Sequence, residues 1–194
     1  MRILLTLSHY IDKLNNKIGL NISWGILIAI FICSGNALTR YLFNTSSNAW
    51  LEIQWYLISS VFLIACAHTL YKDEHIRIDI FSSKFSHRTQ TLIDIIGFTL
   101  FLLPFSILVT YHATIFAWQS ILSQDVSNNA GGLILWPAKL CIPIGFTLLT
   151  LQGISELIKR VAILFGIQSN QRPPHSGLEE ELHHLHDHNT HHSS

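Results

Sequence analysis

One stretch limits the folds open to this chain more than any other: residues 48–81, NAWLEIQWYLISSVFLIACAHTLYKDEHIRIDIF. It opens on Trp50, Trp55 and Tyr56 and then runs uncharged from Ile53 to Tyr71. It closes on Lys72, Asp73, Glu74, His75, Arg77 and Asp79. Crossing the hydrocarbon of a bilayer takes about 20 apolar residues of helix, with aromatic rings at the water boundary. An aromatic entry, an apolar middle and a charged exit therefore describe a membrane-crossing helix. Glu52, in its first turn, is the exception: a carboxylate there has to stay at the interface, face a partner or bind something.

The remainder of the 194 residues agrees with this reading. Hydrophobic residues make up 49% of the chain and charged residues only 12%, about half the charged share of a soluble domain. Because the apolar residues come in long blocks, the class is a polytopic, all-α membrane protein. The formal net charge is zero, which argues against a nucleic-acid partner. Cys33, Cys66 and Cys141 are isolated within apolar runs, so they read as small buried hydrophobes, not as a disulfide framework. Arg2 is followed by only a short apolar run before His9, Asp12 and Lys13, with no small-residue cleavage site. The first membrane helix is thus expected to act as its own uncleaved signal.

Three regions are expected. Residues 1–17 form an amphipathic lead-in, with Leu4, Leu7, Ile11 and Leu14 spaced for one face of an interfacial helix. Residues 18–167 hold four crossings, near 18–43, 50–71, 89–118 and 136–160, with Pro104 kinking the third. Gly25, Ala29 and Ser34–Gly35 in the first would let another helix approach closely. Arg40 near its end can snorkel to the interface or pair with Glu52 across the short NTSSN turn. The alternating residues 75–80 read as an extended start to a short interfacial helix, with Ser86 capping the third crossing. The loop SQDVSNNAGG reads as polar and flexible. Residues 168–194 hold seven of the twelve histidines and have the composition of a disordered tail. Lys and Arg cluster at the N-terminus, in the 72–88 loop and at the C-terminal end, so both termini are expected in the cytoplasm. Asn48-Ala49 followed by Trp55 recurs at equal spacing as Asn129-Ala130 followed by Trp136, a weak internal echo.

Little in the chain points to chemistry of its own. A haem-binding bundle needs paired histidines at one depth. His68 and His112 are expected roughly 15–20 Å apart in depth. The histidines of the tail are irregularly spaced and lack cysteine partners, so no closed zinc site and no cofactor is expected. Paired carboxylates, a broken helix at the midplane, a nucleophile–base arrangement and a phosphate-binding glycine loop are not evident in the sequence. These residues favour a helical subunit that packs against a larger partner over an enzyme or a transport core. A four-helix electron-transfer or quinone-binding subunit is the alternative.

SSNAWLEIQWYL, KDEHIRIDIF and SNNAGGLILWPAKLCIP together resemble the small membrane subunit of tripartite ATP-independent periplasmic (TRAP) transporters, in its mannitol/chloroaromatic branch. The resemblance covers about residues 18–165, and Glu52 with the H-x-R-x-D element His75, Arg77 and Asp79 carries it. It implies a multi-pass protein of the bacterial inner membrane, without catalysis, that serves as a scaffold in sodium-coupled uptake of an organic acid or related solute. The implied partners are a large membrane subunit, a periplasmic solute-binding protein and membrane lipid. Glu52, Arg40, His75, Arg77, Asp79, Trp50, Trp55 and Trp136 are the residues expected at partner interfaces. The histidine-rich tail is not part of the family's pattern.

Overall fold

A computed structural model describes residues 2–44, 47–72 and 87–165. His75, Arg77, Asp79, the expected Ser86 cap and the tail from residue 168 lie outside the described residues. The helices are α1 (Arg2–Ile22), α2 (Trp24–Phe43), α3 (Asn48–Tyr71), α4 (His87–Gly97), α5 (Leu103–Ser123) and α6 (Trp136–Leu164), with a π-helical turn, Phe98–Leu102, joining α4 to α5. Among the described residues four helical spans are long and apolar enough to cross a membrane: Ile3–Phe43, Asn48–Tyr71, Thr89–Ser123 and Trp136–Leu164. Among the described residues the backbone pairs in strand fashion only at an isolated bridge between Val126 and Ile134.

The surface is the reverse of a soluble protein's. Phe31, Phe62 and Phe101 are at least 70% exposed, whereas Gln152, Ser106 and Ser155 are fully enclosed. Lipid solvates the outward aromatics, and the hydroxyl and amide groups turn inward to find partners. The sequence singles out residues 48–71, but the structure puts α6 at the centre, packed against α1, α3, α4 and α5. Small residues on α6 explain why. Gly145 lies so near α3 that an added Cβ would stand 2.7 Å from the Leu63 carbonyl oxygen, and Gly153 receives the Leu102 side chain in the same way. On α2, Gly25 meets Val61 and Ala29 is buried. Gly35, also expected to admit a neighbour, has nothing within 4 Å.

Two expectations change. The lead-in is longer than residues 1–17 and is joined to the first span with only a break at Ser23, whose hydroxyl turns back to the Gly19 carbonyl at 2.8 Å. Its spacing is amphipathic as read, but α1 buries Ser8, Ile11 and Asn15 and exposes Leu4, Leu7 and Leu14. Ser8 meets Ser155 and Asn15 meets Gln152. In the third span the irregularity expected at Pro104 is a π turn: Pro104 has no N–H, and the preceding Leu103 N–H reaches back to the Phe98 carbonyl.

Candidate functional site

Asn48, Glu52 and Tyr56 are spaced four apart, so they share one face at the start of α3. That face carries a hairpin made from residues 125–135. Gln124, at φ 50°, ends α5 by donating its N–H to the Ser120 carbonyl. Its two arms pair through Ser127 N–H to Leu133 O and Leu135 N–H to Asp125 O, both 2.9 Å. The turn closes with Gly132 N–H to Asn129 O, also 2.9 Å, and Gly131 at φ 72°. Such a turn requires a positive φ at its third residue, which glycine adopts without strain.

Glu52 holds this hairpin from below. Its Oε1 accepts from the Ser127 hydroxyl and from Asn129 Nδ2 at 2.8 Å, and its Oε2 accepts the Leu133 N–H at 2.7 Å. Asn48 Nδ2 donates to the Ala130 carbonyl at 3.1 Å, and the Tyr56 hydroxyl donates to the Ile134 carbonyl at 3.5 Å. The two echoed segments, 48–55 and 129–136, therefore touch each other at one end of the bundle. A second brace crosses the hairpin base, where Lys139 Nζ lies 2.7 Å from Asp125 Oδ2 and 4.4 Å above the Phe116 ring. The lysine, joined by the Ser123 hydroxyl, holds the Asp125 carboxyl down at about 2. The polar loop is thus a bound hairpin, contrary to the flexible segment expected, and Glu52 is what organises it.

Arg40 takes no part in this. It is exposed in the last turn of α2, and among the described residues no ion pair joins it to Glu52. The pairing with Glu52 across the short turn is therefore not made. Trp50 and Trp55 are exposed on α3, and Trp136, half-buried, opens α6. All three lie at the hairpin end of the bundle.

A second polar assembly, not foreseen from the sequence, occupies the opposite end. Asp12 accepts from Gln152 Nε2 (2.9 Å), the Ser155 hydroxyl (2.8 Å) and Lys159 Nζ (3.0 Å). Lys159 also pairs with Glu156, Asn15 Nδ2 donates to Gln152 Oε1 at 2.7 Å, and Arg160 lies 3.3 Å from Asp94. The helical spacing of Ser8, Asp12 and Asn15 against Gln152, Ser155, Glu156 and Lys159 was the available signal. It matched two polar faces far apart in the chain. His68 is half-buried against Gly19 and Tyr71, whereas His112 is exposed on α5 beside Tyr111. The two rings do not share a site, and among the described residues no group of three His, Cys, Asp or Glu could hold a metal ion.

A braced polar hairpin at one end, a part-buried ionic seam at the other and an apolar exterior between them describe a membrane-spanning helical bundle. No curated protein and no solved structure matches the chain. The family model for the DctQ component of tripartite ATP-independent periplasmic transporters matches residues 29–162, a stretch holding Glu52, the hairpin and all of α6 up to Ala162. The chain therefore belongs to the DctQ component family, and is a small permease subunit of TRAP-type transporters.

Proposed function

We propose that this subunit is the fixed scaffold of a sodium-coupled transporter for an organic acid or related small solute. A large membrane subunit carries solute and ion against it, and a periplasmic solute-binding protein delivers the solute. The distribution of lysine and arginine puts the hairpin end on the periplasmic side and the Asp12–Lys159 seam on the cytoplasmic side. In this reading the Glu52-braced hairpin, flanked by Trp50, Trp55 and Trp136, is the fixed platform met by the periplasmic protein. His75, Arg77 and Asp79 engage the large subunit near the cytoplasmic face. The observation that carries the reading is the bracing itself. Three hydrogen bonds to one carboxylate make the exposed loop a shaped surface, as a docking platform requires.

The test is co-purification with the large membrane subunit, the tag being on the partner, alongside a chain ending at residue 167. A stable one-to-one complex that survives loss of the tail is expected, and charge reversal at Arg77 or Asp79 should weaken it. A protein that purifies alone and carries a Soret absorbance band would replace this reading with electron transfer.

A further inference from the structure

Between the outer end of α2 and the start of α3 lies a groove of about 570 Å³ lined by Cys33, Asn36, Ala37, Arg40, Leu51 and Gln54, among others. Its lining mixes two chemistries. Cys33, Ala37 and Leu51 are apolar. Asn36 and Gln54 offer amides, and Arg40 offers a guanidinium that stays charged at any physiological pH.

Arg40 also lacks an anion. Among the described residues no carboxylate pairs with it, and Glu52, the acidic residue nearest in sequence, has both oxygens engaged by the hairpin. The position is one turn from the end of α2, and Tyr41 beside it lines the same groove. Aromatic side chains at a helix end mark the headgroup level of a bilayer. A planar guanidinium there binds phosphate oxygens through paired N–H donors.

We propose that this groove is a phospholipid site. The phosphate diester sits on Arg40 with the Asn36 and Gln54 amides, and one acyl chain lies along Cys33, Ala37 and Leu51. A carboxylate from another protein would match the charge but leave the apolar lining of the groove uncovered, whereas a phospholipid matches both. The site belongs to this chain alone and does not depend on the scaffold reading.

The experiment is native mass spectrometry of the full-length, delipidated protein titrated with dioleoyl-phosphatidylglycerol. Wild type should hold one lipid more tightly than the rest. Arg40→Gln should weaken that lipid about tenfold or more, and Arg40→Lys should retain part of the affinity. Ala37→Phe fills the groove while keeping the charge and should also weaken binding, whereas Lys139→Gln, at the hairpin base, should not. Equal binding by wild type and Arg40→Gln would overturn the proposal. So would an Ala37→Phe variant that binds normally, or full displacement of the lipid by inorganic phosphate. A complex with the large subunit in which a partner carboxylate occupies Arg40 would also overturn it, while leaving the scaffold function intact.

Discussion

Replacing Gly145 by alanine should force α3 away from α6. The new Cβ would stand 2.7 Å from the Leu63 carbonyl oxygen and 2.8 Å from its carbon. Comfortable contact is about 3.5 Å, so one helix must withdraw by roughly 0.7 Å. Backbone atoms form the obstacle, so no side-chain rotation relieves it. Overpacking of this kind costs about 1–3 kcal/mol, against a gain of about 0.8–1 kcal/mol from alanine's helix preference. Gly35→Ala isolates that gain, because nothing lies within 4 Å of Gly35. The two variants should therefore differ by about 1–3 kcal/mol, with the Gly145 variant the weaker. Unfolding in mixed micelles as dodecyl sulfate is raised, followed by tryptophan fluorescence, measures both. The withdrawal should also break the Tyr56–Ile134 contact, already 3.5 Å long. If both variants shift the unfolding midpoint equally and in the same direction, the close approach at Gly145 is not what limits the packing.

Glu52→Gln removes the charge and one acceptor oxygen, so hydrogen exchange at the Leu133 amide should quicken, while Arg40→Gln leaves it unchanged. Asp125 has a folded value of about 2, below its ordinary 3.8. The unfolded chain binds the extra proton in that window, so the ion pair's contribution is complete above pH 4 and is lost as pH falls towards 2. Acid titration of hairpin amide signals should show this, and Lys139→Gln should move the transition to higher pH. Gln152→Leu leaves the enclosed Asn15 amide without its acceptor, at a cost of about 1–3 kcal/mol. A cysteine placed at Ser8 should then react faster with a polar maleimide, and an unchanged rate would show that the seam does not hold α1 down.

The four spans were legible because lipid imposes length and composition on a helix, so Trp50, Tyr71, Thr89 and Trp136 could be placed close to where helices begin or end. The hairpin was not legible. Its residues are polar, and what orders them is a carboxylate 75 residues earlier in the chain, at Glu52. The four-residue spacing of Asn48, Glu52 and Tyr56 was visible, but a spacing names no partner. The polar face of α1 was missed for a related reason. Leu4, Leu7 and Leu14 mark a buried face in water, yet they mark the exposed face beside lipid. The apolar pattern shows that a helix has two faces, and the surrounding solvent decides which one is inside.

The π turn ahead of Pro104 has a consequence for a residue nearly three turns away. Along α5 the inward positions Ser120, Ala117, Ala113 and Ser106 recur at three-, four- and seven-residue intervals. The next inward residue is Phe98, eight positions back, followed by Asp94 and Thr91. One surplus residue has re-phased the helix by about 100°. Without it the inward stripe would continue through residues 99, 95 and 92, and Asp94 would rotate from Arg160 towards hydrocarbon. Proline thus acts here as a phase shifter: by leaving one hydrogen bond unmade, it keeps a carboxylate facing its counter-ion and out of the oil.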